Sequence, residues 1–114
     1  MPDCVFCKIV EGKIPAKKVF ESDDLIAFED INPVAPLHVL IITKQHIETL
    51  NDLTTESIGL VGKMQLCATD IAKQKNVAKE GYRTVFNCMA SAGQSVFHIH
   101  LHLLAGRVFQ WPPG

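Results

Sequence analysis

Ser95-Val96-Phe97-His98-Ile99-His100-Leu101-His102-Leu103-Leu104 sets a histidine at every second position from His98 to His102, with apolar residues between them. Successive side chains of an extended strand point to opposite faces. His98, His100 and His102 are therefore expected on one face, and Ile99, Leu101 and Leu103 on the other, against a core. The alternation predicts a last strand from about Val96 to Leu104. Five histidines in 114 residues would yield such a triplet by chance about once in a hundred sequences, so the pattern carries information. The bland alternative is a polar, solvent-facing stripe.

Two chemical readings of the row compete. Residues two apart on a strand are about 6.6 Å apart and residues four apart about 13 Å, whereas zinc takes a ring nitrogen at about 2.0–2.1 Å. One metal ion does not easily take all three rings. A His-x-His pair with cysteines would leave the third histidine without a role, while a row facing a phosphate employs all three.

Outward from the row, Tyr82 to Asn87 reads as a strand and Cys88 to Gln94 as the loop joining it to the histidines. From Thr54 to Gln74, Ile58, Val61, Met64, Ala68, Ile71 and Ala72 recur at intervals of three and four, the stripe of an amphipathic helix. His38 to Thr43, rich in β-branched residues, predicts a largely buried strand. Lys18 to Glu21 and Leu25 to Glu29 predict a hairpin around Ser22-Asp23-Asp24, and Phe6 to Glu11 a short helix ended by Gly12 and Pro15. With a single helical crossover available, the order implies an α+β fold: an antiparallel sheet of about five strands under one long helix, with a short N-terminal helix.

No repeat or low-complexity linker divides the 114 residues, so one domain spanning 1–114 is expected. Eleven basic against twelve acidic side chains leave a formal charge of −1. That is too little to draw the chain onto nucleic acid or an anionic membrane, and any phosphate ligand should be small and gripped locally. No apolar run approaches the roughly 20 residues of a membrane span, and Met1 to Lys8 does not read as a secretory signal. A cytoplasmic location is the resulting expectation. Cys67 and Cys88 are expected to be buried thiols, and Cys4-x-x-Cys7 supplies two thiolates at zinc-ligand spacing.

His98-Ile99-His100-Leu101-His102-Leu103-Leu104 resembles the histidine triad pattern, His-x-His-x-His followed by two apolar residues. The resemblance covers nearly the whole chain: Phe6-x-Lys8-Ile9, Ile14-Pro15-Ala16-Lys17, Phe28-x-Asp30-Ile31, Pro33-x-Ala35-Pro36-x-His38, Gly93-Gln94-Ser95-Val96 and Trp111-Pro112-Pro113-Gly114 are similar to its nucleotide-binding branch, often called Hint. One stretch departs from that branch, in which a glycine and an acidic residue usually precede Gly-Gln-Ser. Here Met89 and Ala92 lie in that stretch.

The resemblance implies a purine nucleoside phosphoramidase that also hydrolyses aminoacyl-adenylates, binding AMP or GMP as a homodimer whose sheets join. It implies His100 as nucleophile, with His38, His98, His102, Gln94 and Ser95 assisting. It places Asp30 on the ribose, Phe6, Ile9, Ile14, Phe28 and Ile31 around the base, and Asn87, Gly93, Gln94, Ser95, His98 and His102 around the phosphate. Catalysis would need no cofactor. A structural zinc on Cys4, Cys7, His46 and His98 is implied by those triad proteins that keep the cysteine pair.

Physical reasons accompany these roles. A carboxylate accepts two ribose hydroxyl bonds, apolar side chains sandwich a base without reading its edge, and a glycine lets amides approach an anion. Ordinary fates compete: Asp30 as a turn residue, the apolar positions as core, His38 as a buried imidazole. Three other functions also fit parts of the sequence, namely a nucleotide-sensing scaffold, a metalloenzyme and a dinucleoside polyphosphate hydrolase.

Overall fold

The computed structural model describes residues 3–114. Helix α1 (Val5–Val10) opens the fold, its N-cap Cys4 accepting a hydrogen bond from the Cys7 amide. Strands β1 (Lys18–Glu21), β2 (Leu25–Glu29) and β3 (Leu37–Thr43) follow, then helix α2 (Ile58–Gln74), β4 (Tyr82–Val85) and β5 (His100–Ala105). The sheet runs β1-β2-β3-β5-β4 with every neighbouring pair antiparallel, the α+β architecture that the pattern implies.

Strand register sorts the side chains into two layers. Ile26 pairs with Ile42 and Ile42 with His100, while Phe28 pairs with Leu40 and Leu40 with His102. Directly paired residues share a face. That face therefore carries Ile26, Phe28, Leu40 and Ile42 together with both histidines, and Phe6 and Ile9 of α1 pack onto it. The opposite face presents Ala27, Val39, Ile41, Leu101 and Leu103 to Met64, Ala68, Ile71 and Ala72 of α2. Each fully buried aliphatic side chain contributes about 1.5–3 kcal/mol, so the α2 layer is the main anchor of the sheet. Because β3 is covered on both sides it reads as a near-continuous apolar run.

Several boundaries differ from those expected. The last strand begins at His100, not Val96: Val96 to His98 form a bend, and the Ile99 amide donates to the Ile47 carbonyl at 2.8 Å. Strand β4 ends at Val85, two residues short of Asn87. Thr55–Ser57 is a 3-10 turn, and Ile58, at the head of the apolar stripe, is 69% exposed, the packing of α2 on the core beginning at Leu60. Cys67 is buried as expected, whereas Cys88 is half-buried. Among the described residues no helix is long and apolar enough to cross a membrane.

Candidate active site

A cavity of about 780 Å3 opens beside α1, over the ends of β2 and β5. That is within the usual range for a small-molecule cleft. Of the residues the sequence suggests for it, Phe6, Ile9, Ile14, Phe28, Asp30, Ile31, Ser95, His100 and His102 line it. Ile31 is 91% exposed and stands at the rim. Phe6 sets its ring edge-on to both Phe28 and His100, at centroid distances of 5.7 and 5.0 Å. Leu40, Lys17 and Val96 also line the cavity, and the sequence reading missed them. Leu40 was available from the pattern, since it stands two residues after His38 and so shares its face.

The partners of each ring fix the proton positions. His100 Nδ1 lies 2.7 Å from the His98 carbonyl, which only accepts, so this nitrogen carries the proton and Nε2 keeps a free lone pair. The Val34 amide donates to His38 Nδ1 at 3.1 Å, leaving the His38 proton on Nε2. That nitrogen sits 2.9 Å from His102 Nδ1 and 3.3 Å from Asp30 Oδ2. His102 Nδ1 therefore accepts, and the His102 proton lies on Nε2. Asp30 has a second task, because its Oδ1 accepts from the Asn32 amide at 2.8 Å; it organises a turn and borders the cavity at once.

Burial keeps these rings neutral. His100 is held below its ordinary value of 6.5 by burial, against the opposing pull of its bond to the His98 carbonyl and of Asp30. His102 is lowered to about 4 by burial and then by the proximity of His100 and His38. His38 is lowered by burial, which outweighs Asp30.

His98 departs from the expected row. It is fully buried and does not line the cavity. Its Nε2 donates to the Thr43 carbonyl at 2.6 Å, which turns Nδ1 toward Cys4 Sγ at 3.3 Å and Cys7 Sγ at 3.6 Å. His46 Nδ1 stands 3.2 Å from Cys7 Sγ, and all four ligand atoms lie within 4.8 Å of one another. A tetrahedral zinc with bonds of about 2.05 Å to nitrogen and 2.3 Å to sulfur requires N···S edges of about 3.5 Å. The cluster fits that geometry, and the Thr43 carbonyl supplies the outer partner that a ligating histidine requires.

The loop before the row also departs from expectation. Gln94 is buried, its Oε1 accepting from the Met89 amide at 2.8 Å and its Nε2 donating to the Glu48 and Val96 carbonyls at 2.8 and 3.1 Å. The Gly93 and Gln94 amides donate to the Ala90 and Met89 carbonyls. Gln94 is thus a latch for this loop, and neither its side chain nor these two amides are free for an anion. Asn87, Gly93, Gln94 and His38 do not line the cavity; of the Gly-Gln-Ser run only Ser95 does.

A family model described as "Scavenger mRNA decapping enzyme C-term binding" matches residues 3–109. A crystal structure of an HIT family hydrolase from Legionella pneumophila superposes with a TM-score of 0.96 at 48% identity, covering 98% of this chain and all, 100%, of that one. The chain belongs to the histidine triad family. Among its histidine triad relatives, a purine nucleoside phosphoramidase from Escherichia coli is 43% identical over 92% of this chain and 88% of that protein. A Zn-bound histidine triad family protein from Mycobacterium smegmatis superposes with a TM-score of 0.81 at 34% identity, covering 93% of this chain and 76% of that one.

Proposed function

We propose that the chain hydrolyses purine nucleoside 5′-phosphoramidates such as adenosine phosphoramidate at the P–N bond, and aminoacyl-adenylates at the P–O bond to the acyl group, through a nucleotide covalently held on His100. The observation that carries this reading is the bare Nε2 of His100 at the cavity, fixed by the Nδ1–H bond to the His98 carbonyl. A buried neutral imidazole with one nitrogen committed is a nucleophile at pH 7 and, once phosphorylated, a good leaving group.

The base occupies the apolar sleeve of Phe6, Ile9, Ile14 and Phe28, with Asp30 toward the ribose hydroxyls. His100 Nε2 attacks the α-phosphorus, a P–N bond to the ring forms, and the P–N bond to the leaving amine breaks as that amine takes a proton from solvent water. The imidazolium so formed is stabilised by its Nδ1–H bond to the His98 carbonyl. Water then attacks phosphorus and gives up a proton to solvent, the P–Nε2 bond breaks, and the electron pair returns to His100. The His102 Nε2–H and the Ser95 hydroxyl donate to the non-bridging oxygens. With its ordinary protonation suppressed, His102 serves as a neutral donor, aligned by His38 and Asp30 behind it.

Three further readings accompany the reaction. Zinc occupies the Cys4–Cys7–His46–His98 cluster, supported by its edge lengths and by the Zn-bound relative; about one zinc per chain in protein prepared without chelator is the check. The chain works as a homodimer, supported by β4 as an edge strand that among the described residues pairs only with β5, and by Val108 and Trp111, each 81% exposed, in the C-terminal segment. Free thiols suit a reducing cytoplasm. Turnover of adenosine 5′-phosphoramidate and of a diadenosine polyphosphate, measured side by side, tests the substrate class. The first should dominate; preferential cleavage of the polyphosphate would contradict the reading.

A further inference from the structure

The Cys/His cluster and the cavity share structure at two points. Phe6 lies between Cys4 and Cys7 on α1, and its ring meets His100 and His98 edge-on, at centroid distances of 5.0 and 5.8 Å. His98 contributes its ring to the cluster, and its carbonyl is the group that orients the His100 ring at 2.7 Å. The cluster thus bears on one wall of the cavity and on the nucleophile.

Helix α1 has six residues, too few to be stable without tertiary anchors. Its anchors are the buried Phe6 and Ile9 on one side and the Cys4 and Cys7 contacts to His98 and His46 on the other. Phe6 and Ile9 line the cavity, so the helix that must be held in place is also the wall of the pocket. An ion joining Cys4 and Cys7 to His46, beyond β3, and to His98, before β5, would order three segments at once. The free energy of that ordering, spent once, is not spent again when a nucleotide binds.

We propose that the Cys4–Cys7–His46–His98 centre is a positioning site for the nucleotide pocket, so that zinc and purine nucleotide bind with positive linkage through Phe6 and the His98 carbonyl; this rests on the nucleotide reading above. Linkage is reciprocal: the factor by which zinc tightens the nucleotide is the factor by which the nucleotide tightens zinc. A metal that only stabilises the fold raises the melting temperature and leaves nucleotide affinity where it was.

The experiment titrates AMP calorimetrically into the full chain loaded with one zinc and into the chelator-stripped chain, and measures zinc affinity by dye competition with and without saturating AMP. AMP should bind about tenfold tighter to the loaded chain, and saturating AMP should tighten zinc by the same factor. Equal AMP affinities within twofold would overturn the linkage while leaving the nucleotide reading intact. A loaded chain that binds no AMP would overturn both. Should the stripped chain unfold, His46→Asn loosens the centre without altering a residue of the cavity lining. AMP affinity in that variant should then rise with free zinc, and a flat profile would overturn the linkage.

Discussion

His102 gathers the electrostatics of the pocket at a single residue. It faces His100 from its own strand, His38 from β3 and Asp30 beyond the end of β2, with the Lys17–Glu29 pair, 3.4 Å apart, at the cavity edge. Its folded-state value of about 4 lies below the ordinary 6.5 of an unfolded histidine, so the unfolded chain binds the proton more readily. The stability tied to this ring is present above pH 6.5 and is lost as pH falls toward 4. The amount is about 2 kcal/mol once solvent screening at the pocket mouth is allowed for. Denaturant melts at pH 7 and pH 4.5 should therefore show a smaller acid loss in His102→Asn than in the parent; an equal loss would contradict the account. At this scale the sequence was informative where chemistry is local. His100 and His102 obey the alternation of a strand, and Asp30 and Phe28 were found beside them. His98 was legible only through the resemblance, which set it with Cys4, Cys7 and His46 as the structure does; the alternation alone put it in the row. Gln94 was not legible, because the Thr43 and Glu48 carbonyls that hold these two side chains are distant in sequence and belong to the tertiary fold.

Among the elements, both central strands and α2 were readable because each buries an apolar set at its own period, two for strands and 3.6 for the helix. The start of β5 was not, since the alternation runs on through His98 while the backbone there leaves the ladder to bring the ring to Cys4 and Cys7. The loop Cys88–Gln94 carries a local conflict. Met89 sits at φ 71 and ψ 175, a region that essentially only glycine adopts without strain, in the stretch where the similar branch usually has glycine. The Gln94 latch on the Met89 amide holds it there. Relief of roughly 1–3 kcal/mol of strain, set against the conformational entropy of glycine of about 0.4–1 kcal/mol, makes Met89→Gly stabilising by about 1 kcal/mol, or about 4 °C in Tm. A fall in Tm would show that the latch, and not the residue, sets that conformation.

For the whole molecule, the two layers divide the labour. The α2 layer secures the sheet, and the α1 layer, smaller and partly apolar, leaves the cavity open above His100 and His102. The proposed dimer would cover what one protomer leaves exposed. Sedimentation should give a stable dimer at micromolar concentration, and a monomer there would remove the proposed joining of sheets at β4. The proposed chemistry rests on His100 Nε2 attacking phosphorus, and that is tested most directly by His100→Ala with adenosine 5′-phosphoramidate as substrate. The account predicts that kcat falls by at least about a thousandfold, roughly 4 kcal/mol in barrier, while AMP affinity changes by no more than a few fold. Turnover within about tenfold of the parent, a barrier change of only about 1.4 kcal/mol, would contradict covalent catalysis at this residue.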